Sequence, residues 1–347
     1  MSARILLTGD INLMNVTNPD VPFRNIAADL QAADVVFGNL ECCLHLPSGR
    51  STSTEGFFAD PTVGGEALAR AGIHAVGIAN NVNYGAANIM ASIARLDALD
   101  ILHTGAGCDL AAARAPAVIA RNGVRVGVLQ RSSVYRPTDH EAHEDSPGIA
   151  VLRGHTAYQV PAGRMQAGIP PANRPGVPPV IMTWADAHDL EELGKDLHAL
   201  RSQVDIVVAS CHWGLGREPL AYMSEIAHAA VEAGADIVIG HGPHYPLPVE
   251  LYRGRPIFYG LGNLSFHTGH GGRKHEDWIG LMVELAVEGA RITTCQMRLV
   301  RHNDANETFF RRPAEEADTV ADLTGRSRKL GAVLVEDHDR LRIMLPC

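Results

Sequence analysis

The chain lacks the features that mark several functional classes. It has no run of basic residues, and its formal net charge is −9. Nucleic acid and anionic membranes recruit clustered Lys and Arg, so neither is an expected partner. No apolar stretch approaches the ~20 residues that span a bilayer. Met1–Ser2–Ala3–Arg4 leads straight into an apolar segment with no leader or cleavage site, so a cytoplasmic location is expected. The six cysteines, Cys42, Cys43, Cys108, Cys211, Cys295 and Cys347, form no Cys-x-x-Cys pair. That argues against a zinc ribbon or thioredoxin-type motif and leaves reduced thiols as the reading. Aromatic residues are scarce, 5% of the chain with three tryptophans, which singles out the two that flank strand ends, Trp184 and Trp213.

What is present is apolar residues at 46% over 347 positions and seventeen histidines. That length and composition support a large buried core. Short apolar runs ending in Gly, Asp or Asn recur with helical spacing between them. Ile5–Thr8 ends at Gly9–Asp10, Val35–Phe37 at Gly38–Asn39, Ala75–Ile78 at Ala79–Asn80–Asn81, and Ile101–Leu102 at Thr104–Gly105. Phe23–Ala32, Thr62–Ala71 and Ala87–Leu99 carry helical periodicity. The grammar returns in Ile206–Ala209, a helix over Leu220–Ala233, Ile237–Ile239 and Ile257–Tyr259, and Leu281–Val300 reads as two antiparallel strands around Glu288–Gly289. Strands alternating with helices predict an α/β fold with a largely parallel sheet. Between the halves lies the proline-rich stretch Arg131–Pro179, which lacks periodicity and is read as an insertion over the site.

In parallel α/β sheets, ligands bind beyond the carboxyl ends of the strands. The polar residues there are Asp10, Asn12, Asn39, Glu41, Asn80, Asn81, His212, His241 and His244. This mixture of carboxylate, amide and imidazole suits one or two divalent metal ions.

The order of these pieces resembles the CapA family, the poly-γ-glutamate capsule protein type within the calcineurin-like metallophosphoesterases. The matching motifs are Gly9–Asp10, Asn39–Leu40–Glu41, Ala79–Asn80–Asn81, Thr104–Gly105–Ala106–Gly107, His212–Trp213–Gly214, Gly240–His241–Gly242–Pro243–His244 and Gly260–Leu261–Gly262–Asn263–Leu264. The resemblance implies a calcineurin-like four-layer α/β sandwich over residues 1–300, interrupted by the insertion at about 131–179, with 301–347 packed on it as a C-terminal extension. It also implies paired metal positions, one lined by Asp10, Asn12, Glu41 and His244 and the other by Glu41, Asn81, His212 and His241.

Two departures shape the functional reading. Family members carry a His where this chain has Val82, which can neither protonate a leaving group nor bond a phosphoryl oxygen. The metallophosphoesterases carry a His where this chain has Asn12, a harder ligand that favours Ca, Mn or Mg over Zn. The first reading is therefore a metal-dependent peptide epimerase, like the CapA-like proteins of lasso-peptide clusters, inverting a Cα by two-base proton transfer on a precursor peptide or another small acidic or peptidic substrate. The alternatives are a CapA-type hydrolase of a phosphoester or γ-glutamyl amide, and a non-catalytic binding relative. Acid/base candidates are His212, His244, Asp10, Asp186 and His188, with His140, His143 and His267 behind them. Arg217 is a candidate to pair with a substrate carboxylate, and Trp213 to shape the pocket.

Overall fold

The computed structural model describes residues 2–47, 57–159, 176–214, 216–266, 268 and 278–346. Two sheets pack face to face. The first, of ten strands, is centred on Ser2–Asn12, which lies between the parallel strand Val35–Leu40 and the antiparallel strand Gly280–Glu288. The second has six strands, with the parallel set Val124–Ser132, Ile206–His212, Ile237–His241 and Arg255–Phe258 at its centre. Ile5, Leu7 and Phe37 of the first sheet meet Val126, Val208 and Ile239 of the second in one fully buried cluster.

Helices cover both outer faces. Pro61–Ala71 and Ala86–Asp97 place Leu68, Ile89, Ile93 and Leu96 on Leu6 and Val36 of the first sheet. Ala187–Arg201 and Ala221–Glu232 place Leu193, Leu197, Leu200 and Ile226 on Val207, Ala209 and Val238 of the second. The result is an α/β sandwich in which the central strands are buried on both sides, which is why they read as unbroken apolar runs rather than alternating ones.

Local chemistry sets the helix ends. Asp60 caps Pro61–Ala71 by accepting from the amides of Thr62 and Val63, and Gly72 ends it at φ +80°. The helix expected over Phe23–Ala32 shrinks to Ala27–Gln31. The chain before it forms turns bonded three residues back, Arg24 to Val21 and Ile26 to Phe23; Pro22 has no amide proton to give.

The largely parallel sheet becomes two mixed sheets. Antiparallel strands flank the parallel centres, among them the hairpin of Ala117–Arg121 and Val124–Ser132, which the apolar runs above do not include. Its signal is Asn122–Gly123, both at positive φ, the pairing a two-residue hairpin turn requires. Beyond His302 the chain continues the first sheet through Thr308–Arg311 and Arg340–Ile343. Within the stretch read as irregular, Gly154–Gln159 pairs with Val180–Ala185 in a two-stranded ribbon; residues 160–175 lie outside the described residues. None of the described helices is long and apolar enough to cross a membrane.

Phe37 is fully buried where the two sheets meet. Phe37→Ala removes a ring from a site that backbone on both sides prevents from collapsing, so a stability loss of about 3–5 kcal/mol is expected in urea unfolding. A loss under about 1 kcal/mol would show that the sheets close over the gap.

Candidate metal centre

The carboxyl ends of the parallel strands of both sheets converge. Asp10 lies near the end of Ser2–Asn12, at an irregularity in its pairing with both neighbours. The register to Val35–Leu40 shifts between Leu7 and Asp10, and that to Asn263–Phe266 shifts between Asp10 and Ile11. Such bulges re-aim side chains. Gly9 makes the approach feasible, since a Cβ there would lie 2.0 Å from the Gly262 carbonyl oxygen. Glu41 directly follows Val35–Leu40, while His212 and His241 are the last residues of their strands and neighbours in register. His244 follows in a left-handed conformation, φ +61°, an unfavourable one for a non-glycine residue that tertiary contacts must hold in place.

Ligand atoms of Asp10, Glu41 and His212 lie within 4.8 Å of one another. The two Asp10 oxygens lie 3.3 Å from His241 Nδ1 and 3.2 Å from His244 Nδ1, and His244 Nε2 lies 3.6 Å from Glu41 Oε1. Asp10, Asn12, Glu41, His212 and His241 are buried, and only His244 reaches partly to solvent. Both carboxylate oxygens of Glu41, both ring nitrogens of His241 and the Asn12 amide nitrogen have no aligned hydrogen-bond partner among the described residues. Buried polar atoms are normally paired, and two sealed carboxylates are costly without a counter-charge. A divalent cation supplies what this set of oxygens and imidazoles is missing, so the residues fit a metal.

A second ring of amides fixes the first. Asn39 Nδ2 donates to Asp10 Oδ1 at 2.8 Å and faces His212 Nδ1 at 3.4 Å. Its own Oδ1 accepts from Asn80 Nδ2 and from Gln130 Nε2. His212 Nε2 lies 2.8 Å from Asn81 Oδ1; an amide oxygen only accepts, so that nitrogen carries the proton and Nδ1 is left as the lone pair. Asn263 Oδ1 pairs with His244 Nδ1 at 3.0 Å. Gln130 fits only because residue 77 is glycine, whose Cβ would lie 2.3 Å from the Gln130 amide.

The electrostatics follow from burial and crowding. Burial pushes the Asp10 carboxyl up, but the imidazoles of His241 and His244 close against its two oxygens overrule it and hold it well below the usual carboxylate range. Burial pushes Glu41 well above that range, and Asp10 beside it adds to the effect. Burial drives His212 down to about 3. His244 goes up to about 9, because the charges of Glu41 and Asp10 outweigh its own desolvation.

The other sequence candidates fall elsewhere. Trp213 is fully buried and donates to the Tyr259 carbonyl, so it packs the core rather than lining a pocket. Asp186 caps Ala187–Arg201, accepting from the amides of His188 and Asp189, and pairs with His155; His188 is exposed on that helix. Neither joins the cluster. Arg217 is exposed with its guanidinium 4.9 Å from the Tyr245 ring, next in sequence to His244. Val82 is buried. His140 is also buried, bonded to the Asn80 carbonyl, and His267 lies outside the described residues. A cavity of about 590 Å³ lined by Leu110, Arg114, Asp196 and Leu200 shares no residue with the cluster. The chemistry, not the volume, marks the site. Gln130 was missed because it sits inside a strand that no apolar run announced.

Asn39 holds both Asp10 and the His212 ring, so Asn39→Leu should weaken binding of added Mn about 10–100-fold with the fold intact, read by calorimetry alongside circular dichroism. Unchanged affinity would mean that the amide ring is not what orients the ligands. In the cation-free protein His244 stays protonated up to about 9, 3.6 Å from Glu41, and repels a cation held there. Mn affinity should therefore climb as pH rises toward 9 and level off above it, with protons released on binding. A pH-independent affinity would remove His244 from the metal's surroundings.

Comparison with known proteins gives the chain a family. Residues 4–268 match the bacterial capsule synthesis protein family PGA_cap. A probable polyglutamine synthesis accessory protein of Mycobacterium tuberculosis is 27% identical over 296 residues, covering 79% of this chain and 67% of its own. The capsule biosynthesis protein CapA of Bacillus anthracis is 26% identical over 266 residues, 74% of this chain and 56% of its own. The PGA biosynthesis protein CapA of Bacillus subtilis is 44% identical over 71 residues, 20% of this chain and 19% of its own. The chain thus spans about two thirds or less of the length of these relatives. The matches support the broad CapA resemblance and not the narrower one to lasso-peptide epimerases. With three quarters of its length matched and the strand-end cluster inside the matched span, this chain belongs to the bacterial capsule synthesis protein family PGA_cap, the CapA type.

Proposed function

We propose that this protein is a divalent-metal-dependent enzyme of calcineurin-like arrangement that hydrolyses an amide bond in an acidic, γ-glutamyl-type peptide. The observation that carries the reading is the sealed cluster of Asp10, Glu41, His212 and His241: ligand atoms of the first three lie within 4.8 Å of one another, and the Glu41 oxygens and His241 nitrogens lack aligned hydrogen-bond partners among the described residues. The relatives' names speak of polyglutamine synthesis and capsule biosynthesis, and the choice of an acidic polymer rests on the resemblance to the poly-γ-glutamate capsule type. Val82 in place of the family's His removes one acid for the leaving group, a role that His244 would take here.

Asp10, Glu41, His212 and His241, with Asn12 and Asn81 beside them, would hold the cation. When bound it supplies polarisation of the scissile carbonyl and a water acidified enough to attack near neutral pH. In the reaction the water oxygen bonds to the carbonyl carbon, the C–N bond breaks, and the nitrogen leaves with a proton. His244 is the group placed to give that proton, being the partly exposed imidazole of the set, oriented through Nδ1 by Asn263 and Asp10.

One observation favours a second reading. With Val82 buried at the family's His position, the imidazoles that remain suit removal and return of a Cα proton, the epimerase chemistry, as well as they suit hydrolysis.

Incubation of the Mn-loaded protein in D₂O with tri-γ-glutamate, and separately with a lasso-type precursor peptide, separates these. Cleavage of the γ-amide without deuterium at any Cα is the expected result, with Asp10→Asn lowering the rate about 10²–10⁴-fold. Deuterium at a single Cα without cleavage would install the epimerase reading instead. Neither reaction, with metal demonstrably bound, would leave a binding protein that kept the fold.

A further inference from the structure

Arg136 lies in a loop that the family motifs do not include. Its guanidinium carbon sits 5.1 Å from the Tyr84 ring centroid and 5.7 Å from that of Phe57. Arginine held against aromatic rings in this way keeps its planar fork oriented. Its Nε is sealed from solvent with no hydrogen-bond partner among the described residues, and no carboxylate among them lies within ion-pairing distance. Asp139, three residues on, is exposed and does not reach it. Other arginines here spend their charge on internal acids: Arg114 on Glu192 and Asp196, Arg153 on Glu141 and Asp189, Arg301 on Glu316. Among the described residues, Arg136 is oriented and has no acid to pair with.

It is also tied to the metal centre through a short chain of hydrogen bonds. The Arg136 amide donates to His140 Nδ1 at 2.8 Å, and His140 Nε2 meets the Asn80 carbonyl at 3.1 Å. Asn80 bonds Asn39, and the next residue, Asn81, bonds His212 Nε2. His140 packs edge-on against the same Tyr84 ring that Arg136 covers, and the Gly85 amide donates to the Asp139 carbonyl, so the two loops are zipped together. The position of the guanidinium is thereby coupled to the strand-end cluster. A protein of net charge −9 that receives an acidic substrate needs local positive charge near its site, since the overall field opposes approach.

We propose that Arg136 is a substrate anchor that pairs with a free carboxylate of an acidic peptide lying across the metal centre. This rests on the reading of the substrate as an acidic peptide and adds the group that recognises it. The Phe57 and Tyr84 rings hold the guanidinium plane, and a bidentate carboxylate pair engages the terminal guanidinium nitrogens, which no described residue takes. Arg217, beside Tyr245, offers a second cation by the same logic.

The test is calorimetric binding of tri-γ-glutamate, which carries a free α-carboxylate on each residue, against its α-carboxamide analogue. The wild-type protein should prefer the acid by about tenfold or more. Arg136→Met should lose most of that preference by weakening acid binding alone, with Mn stoichiometry and melting temperature unchanged. Arg136→Lys, which keeps the charge without the planar fork, should fall between and serves if the Met variant does not fold. Acid preference retained in both variants, or equal loss for acid and amide, overturns the anchor. The anchor and the hydrolase reading fail separately. Arg136-dependent binding without γ-amide cleavage removes the hydrolase and keeps the anchor, whereas cleavage with no dependence on Arg136 does the reverse.

Discussion

Two carboxylates, Asp10 and Glu41, are sealed in the same place at the seam between two sheets, and much of the nearby architecture is arranged around tolerating them. Left alone, a pair of buried negative charges would be among the most destabilising features a core can contain. The protein answers with three imidazoles within reach, a ring of side-chain amides, and strand ends that place them. Even so, the opposed shifts of the two acids, Asp10 down and Glu41 up, show that without a cation only one of them is comfortably charged. A divalent ion would oppose the Glu41 shift, its charge stabilising the carboxylate against the desolvation that now raises it. The cluster is therefore best understood as a compensation that is incomplete by design of its chemistry rather than as an ordinary polar core.

That constraint explains the local backbone. Asp10 sits at a double irregularity of register and His244 in a left-handed conformation, both unfavourable choices for a strand and a loop whose only task was packing. Gly9 and Gly77 are bare where a Cβ would strike Gly262 or Gln130. The hub is Asn39, whose single side chain donates toward the first acid and the His212 ring and accepts from Asn80 and Gln130. Through Gln130 it ties the second sheet to the first, so the orientation of the ligands is shared between two halves of the fold.

Much of this was legible in the sequence. Runs such as Val35–Leu40 and Ile206–His212 declare themselves because strands buried on both faces need apolar residues throughout. The polar residues that end them were visible because a parallel sheet leaves its carboxyl ends open to ligands. What was not legible depends on partners distant in sequence. Gln130 is a polar residue inside a strand, and only its 91-residue reach to Asn39 gives it meaning. Asp186 and His188 look like an acid/base pair in one dimension, yet the geometry spends Asp186 on capping a helix. Trp213 follows the candidate ligand His212 in sequence and still points into the core, because successive residues at a strand end face opposite sides. Arg136 carried no signal at all. Its role as an anchor appears only once Phe57, Tyr84 and His140 are seen around it.

The division between the sealed cluster and its mouth also bears on the chemistry. Residues that hold a cation gain from burial, since low dielectric strengthens every charge interaction there. A group that exchanges protons with substrate must instead be reached. His244 alone among the clustered imidazoles is partly open, while His212 and His241 are closed off. Its Nδ1 faces Asn263 and Asp10, and its Nε2 lies on the side of Glu41. Whether the proton goes to a departing nitrogen or a planar carbon is then decided by what substrate group is presented to that nitrogen, not by the metal ligands. On the proposed reading, substrate positioning by cations such as Arg136 and Arg217 would therefore select the reaction at an otherwise permissive centre.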